Sequence, residues 1–335
     1  MTPRSIATLA AAVLLLVAAA GFGAAALRTP SPPSPLGAGF GPGPVVAHQP
    51  RTSLWAPIAE DFVPGVDPSS ANACIAGDDR CLEAVVGEMQ ARLEELGCEH
   101  TAPFAFTYLE TTRGVEEHLA RDGFFVDPPE LAHLDALFAV LYFDAIDNWR
   151  AGRIDEVPPA WQVAFEAADR EQVSAATDVM LGMNAHISRD LAYAVAQLLA
   201  TTPDPHTADT TDFFRIDEVI AAVQDPMLVG SGQRFDPRLS TLAETLIPAG
   251  AEVDSVALIA LWREQAYELG LRLATAKDHA ARAAVAAEIE RASFASAVMI
   301  LNVEASIDLG LDVDERRRYC EQQLNTAPAA NDDIG

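Results

Sequence analysis

Between Pro128 and Trp149 the chain reads PPELAHLDALFAVLYFDAIDNW, which is apolar on almost every side when its residues are set at about 100° steps. A helix without a polar face persists in water only if other elements surround it, so this segment predicts a domain with a helix at its centre. The rest of the sequence supplies the surroundings. Helical spacing covers 79–96, 103–121, 128–150, 159–170, 173–200, 212–224, 237–247, 252–275 and 278–306, about nine helices. Asp127-Pro128 makes an N-cap and first-turn pair, and Gly97, Gly123 and Gly152 follow helix ends. Nowhere do β-branched or aromatic residues alternate over a strand's length, and no repeat of solenoid length recurs. The expected fold is all-α: a single irregular multi-helix domain over 58–324, with no significant sheet.

The N-terminus predicts export. Arg4 precedes an uncharged, Ala/Leu/Val-rich run from Ser5 to Leu27 that closes on Ala24-Ala25-Ala26, which describes a signal peptide over 1–26. An uncleaved anchor is the alternative, and only in that form would the chain meet a membrane. Residues 27–57 form a Pro/Gly-rich stretch expected to be a disordered tether, and 325–335 a disordered tail. With 49 Asp+Glu against 22 Lys+Arg the net charge is −27, a field that repels phosphate backbones and excludes general nucleic-acid binding.

Cys74, Cys81, Cys98 and Cys320 are an even set, which in an oxidising compartment favours two disulfides. Three connectivities are open. Cys74–Cys81 would close a short local loop, and Cys98–Cys320 would staple the two ends of the domain. Zinc is the competing use, disfavoured by the absence of C-x-x-C and of any histidine between Cys74 and Cys98.

Chemistry is expected on two helices. The central one carries His133, Asp135, Tyr142 and Asp144 among apolar neighbours, where a carboxylate must be protonated, hydrogen-bonded, paired or metal-bound. The other contains GMNAHISRDL, Gly182 to Leu191. Asp190 falls in the middle of its apolar stripe, His186 lies one turn before it, and Asn184 flanks the stripe. A neutral histidine held by a carboxylate can serve as a general base or a metal ligand; the same pair can also be internal packing. The other histidines carry less: His118 with Asp122 reads as a solvated face, His100 as a helix exit, and His206 and His279 as surface residues.

The segments GMNAHISRDL, FAFTYLETTRGV (from Phe104), LDALFAVLYFDAI (from Leu134), PPAWQVAF (from Pro158) and TDFFRIDEVI (from Thr211) resemble an uncharacterised bacterial family, domain-of-unknown-function family 5995. The resemblance runs from about Cys74 to the helix around Trp262 and implies a helical fold with no established activity. Asp217 departs from it, standing where an asparagine is expected.

Two kinds of function remain. In one, an exported envelope or extracellular domain uses Asp135, Tyr142, Asp144 and His133, with Asn184, His186 and Asp190, as a buried polar pocket for a small molecule or envelope component, or simply as a structural network. In the other, His186 and Asp190, with Asn184, form the centre of a metal-assisted hydrolase holding one divalent ion. No G-x-S-x-G, P-loop, H-E-x-x-H or G-x-G-x-x-G pattern supports a serine hydrolase, nucleotide or flavin site.

Overall fold

The computed structural model describes residues 81–171, 173–200, 202, 204–238, 255–306 and 313–326. The signal segment, the tether, Cys74, the side chain of Cys81, the helix expected over 237–247 from residue 239 onward and the tail beyond 326 lie outside the described residues. Helices α1 (Cys81–Leu96), α2 (Ala102–Leu119), α3 (Pro128–Arg150) and α4 (Pro159–Asp169) come first. Then α5 (Ala175–Ala185) runs through a π-turn (His186–Asp190) directly into α6 (Leu191–Ala200). Last are α7 (Thr211–Arg234), α8 (Ser255–Ala274), α9 (His279–Ser306) and α10 (Val313–Thr326). Among the described residues there is no strand, and no helix is long and apolar enough to cross a membrane.

Local chemistry sets the boundaries. Asp127 accepts a hydrogen bond from Glu130 N at 3.1 Å with Pro128 in the first turn, the arrangement that starts α3. Gly97 and Gly152 carry φ of 55° and 71° where α1 and α3 stop, a conformation that costs side-chain-bearing residues far more. Ser174 caps α5, and Glu304 of α9 accepts from both Ser174 and Thr177, which ties the start of α5 to the end of α9.

The apolar helix α3 is buried as its sequence predicts, with Leu134, Leu137, Val140 and Ile146 in the core. It packs against α1, α4, α6 and the π-turn. The closest approaches are made at glycine. A Cβ on Gly182 would meet the Phe104 side chain at 2.3 Å, so α5 and α2 are pressed together there. Gly270 lets α8 lie on α6, where a Cβ would stand 2.7 Å from the Ala192 carbonyl oxygen.

Three expectations are corrected, and one helix stands where none was expected. The helix expected over 212–224 continues through Pro226 to Arg234, although an interior proline removes a hydrogen bond. Its second half is held from outside, by Phe106 against Gly230 and by the Tyr319 hydroxyl donating to Gln233 O at 3.0 Å. The segment 313–326, DERRRYCEQQL at its heart, reads as polar but is helix α10, with Arg316 and Cys320 buried. His118 is buried, not solvated: it bonds the Gly114 carbonyl and meets Arg121 at 2.8 Å. His100 is more than a helix exit, being buried 3.0 Å from Asp178, whose Oδ2 also accepts from Arg316 at 2.7 Å. Beside this cluster Cys98 is bonded to Cys320, the pairing expected from the sequence, across a separation of 222 residues.

Candidate functional site

The polar centre grows from the π-turn. His186, Arg189 and Asp190 all point inward, at 2%, 1% and 0% exposure. π-turns inside α-helices concentrate at functional sites because the wider turn redirects side chains. Asp190 is acceptor to three donors. Trp161 Nε1 of α4 reaches Oδ2 at 2.8 Å, His186 Nδ1 reaches the same oxygen at 3.1 Å, and Arg189 Nη1 donates to Oδ1 at 2.5 Å. Arg189 Nε donates in turn to Glu290 of α9 at 3.0 Å, and the Tyr193 hydroxyl donates to the same Glu290 oxygen at 3.0 Å.

This network fixes the histidine. An indole and a guanidinium can only donate, so the Asp190 carboxylate accepts from them, and the proton shared with His186 sits on Nδ1. The lone pair is then on Nε2. Burial lowers the His186 pKa, and the neighbouring Asp190 offsets this only in part, which keeps the ring neutral at pH 7. Phe138 covers one face of the imidazole, 3.5 Å away and nearly parallel, and Tyr108 meets it edge-on at 4.4 Å. Nε2 is buried and has no partner within the protein.

His186 lines a cavity of about 110 Å³ between α2, α3, α7, α8 and the π-turn. Its floor is buried (Phe104, Tyr108, Leu134, His186, Leu191) and its rim half-buried (Met183, Ile187, Val223, Met227). The wall is apolar except for a few groups. Asp135 lines it with Oδ2 unpaired, and Arg263 lines it while donating to Asp217 at 2.8 Å and to the Phe213 carbonyl. Burial pushes the Asp135 carboxyl up to about 7, against the opposing field of Arg263. Asp217, the departure from the expected asparagine, is thus the counter-ion of Arg263.

The residues singled out in the sequence divide. His186 and Asp135 reach the cavity, and Asp190 stands behind His186 as its orienting partner. Asn184 turns away, its amide donating to the Ser293 carbonyl of α9 at 2.9 Å, so it links two helices. Tyr142 is buried between Phe104 and Trp161, while His133 and Asp144 are half-buried; none of the three lines the cavity. An all-round apolar helix places polar residues on several faces at once, and only the face of Asp135 meets the cavity. A metal on His186 and Asp190 does not fit the donor set, because Asp190 is taken up by Trp161, Arg189 and His186, which leaves Nε2 as a lone donor. Among the described residues no three His, Cys, Asp or Glu side chains gather as ligands. Sequence reasoning missed Arg189, Trp161, Glu290 and Arg263. The signal for Arg189 was present, three residues after His186 and so on the same helical face.

The Asp135 carboxyl yields a pH prediction. A carboxyl whose pKa rises on folding binds its proton more tightly in the native state. Its contribution is full below about pH 4 and is lost as the pH climbs to about 7, by up to about 4 kcal/mol. Asp135→Asn removes that dependence. In urea melts the variant should match or trail the parent at pH 5 and exceed it at pH 8. An equal difference at both values would show that Asp135 does not titrate in this window.

No curated protein and no solved structure matches the chain. The family described as "Family of unknown function (DUF5995)" matches residues 82–303, from the start of α1 to near the end of α9, and so takes in the cavity and the whole His186–Asp190–Arg189–Glu290 network. The chain belongs to that family.

Proposed function

We propose that the protein is an exported binding protein that holds a compact, largely apolar molecule in the cavity beside His186. One observation carries this reading. The His186 Nε2 and Asp135 Oδ2 atoms are buried, lack protein partners and belong to residues of one apolar wall. Buried polar atoms are nearly always paired in folded proteins, and apolar cavities with a few convergent polar groups are the usual form of a small-molecule site. The Ser5–Leu27 run and its Ala24-Ala25-Ala26 end support export, with the mature chain beginning at Leu27.

Benzene tests the cavity, since an engineered apolar cavity of about 150 Å³ is known to hold it. Benzene at ten times its dissociation constant should add about 1.4 kcal/mol of stability and shift the methyl resonances of Met183 and Met227. Ile187→Trp, which fills the half-buried rim, should abolish both effects at little cost in stability. Unmoved methionine methyls at saturating benzene would count against a ligand site, and an intact mass that retains residues 1–26 would count against cleavage.

A further inference from the structure

The donors and acceptors of the cavity define the head group it takes. His186 Nε2 offers a lone pair in the plane of the ring, and Phe138 blocks one face, so a ligand atom must approach the edge and must bring a hydrogen. Asp135, which lines the same cavity, is a carboxyl that burial pushes up to about 7, so below that pH the protonated, donating form prevails. Charged heads fare badly here. An anion would meet the His186 lone pair without a hydrogen to give it, and the one cation in the wall, Arg263, is engaged by Asp217 and the Phe213 carbonyl. A cation would have to shed its water beside that same guanidinium. A carbonyl could accept from Asp135 but would leave Nε2 unpaired. A neutral hydroxyl brings the hydrogen that Nε2 needs and keeps an acceptor for a donating carboxyl.

The rest of the wall defines the body. Phe104, Tyr108, Phe138 and Phe213 present aromatic surface to a space of about 110 Å³, smaller than the engineered cavity that accepts benzene. A single six-membered ring is close to the upper limit.

We propose that the cavity selects small neutral hydroxyl compounds, phenols and alcohols of about one ring in size, by donation of the ligand hydroxyl to His186 Nε2. The inference rests on the reading of the cavity as a ligand site. It assigns His186 as the specificity-determining residue, with Trp161 and Arg189 holding Asp190 so that the lone pair stays on Nε2.

The test is a ranking by isothermal titration of the full mature protein at pH 6.5 with phenol, toluene, benzaldehyde and benzoate, which keep the ring and change the head. Phenol should bind about 10–100-fold more tightly than toluene or benzaldehyde, the scale set by satisfying or stranding buried polar atoms, and benzoate should not bind. His186→Phe keeps an aromatic ring against Phe138 and leaves Trp161 and Arg189 on Asp190. It should bring phenol down to the affinity of toluene without weakening toluene. Toluene binding as well as phenol in the parent would overturn the hydroxyl assignment while leaving the cavity reading intact, and needs no variant to fold. A phenol preference that survives His186→Phe, or benzoate binding on a par with phenol, overturns it equally. If none of the four binds at millimolar concentration, the polar atoms are met by water and both readings fall.

Discussion

Asp190→Asn should destabilise the protein by about 3–5 kcal/mol, the range for removing one partner of a buried ion pair. The reason is the number of donors that converge on this side chain. Trp161 and His186 share one carboxylate oxygen and Arg189 holds the other. An amide has a single acceptor oxygen, so whichever way it turns, its NH2 group faces either the indole or the guanidinium, and a buried donor is stranded. Where the guanidinium is the stranded donor, Arg189 loses Asp190 and keeps Glu290. Burial raises the Glu290 pKa, and its oxygens accept from Arg189 and Tyr193, roles an amide oxygen can partly keep. Glu290→Gln should therefore cost clearly less than Asp190→Asn. Urea unfolding of the two variants side by side measures the difference, and an Asp190→Asn protein within about 1 kcal/mol of the parent would mean that Asp190 is not the hub.

Reducing Cys98–Cys320 should cost about 5 kcal/mol, because the bridge closes a loop across a separation of 222 residues and chain entropy scales with the logarithm of that length. Native-state helicity should survive. The α10 helix is also held by Arg316, whose guanidinium reaches Asp178 at 2.7 Å and the His100 ring at 2.6 Å, and by Tyr319 on α7. The expected result is a lower urea midpoint with an unchanged far-ultraviolet spectrum at 20 °C. Coincident unfolding curves with and without reductant would show that the unfolded chain gains nothing from losing the bridge.

The sequence exposes some layers of this molecule and hides others, for physical reasons. The burial of α3 and the central place of Asp190 follow from angular spacing along one helix, which is a local property. The partners of Asp190 are another matter. Trp161 lies 29 residues before it, and Glu290 lies 101 residues beyond Arg189, in AAEIERAS, where it reads as one more acid on a solvated face. Pairings over such distances are set by how helices pack. The same limit hid α10, whose charged run conceals Arg316 and Cys320, and separated Asp135 from His133, Tyr142 and Asp144, which differ only in the face they occupy. His100, Asp178 and Arg316 form one cluster from three segments that carry no shared pattern.

The π-turn at His186–Asp190 also sets the phase between two halves of one rod. Upstream, α5 addresses α2, α4 and α9; downstream, α6 addresses α8 and α3. A π-turn takes up more residues than the 3.6 of an α-turn, so it absorbs an extra residue while the helix on either side stays nearly in phase. Deleting a single residue there would restore regular winding and leave α6 nearly in phase, with Gly270 of α8 still against the Ala192 carbonyl, while the side chains of the turn itself lose their alignment. The chemistry of the turn is therefore tied to one count of residues while the docking of α6 is not, and a one-residue deletion would separate the two.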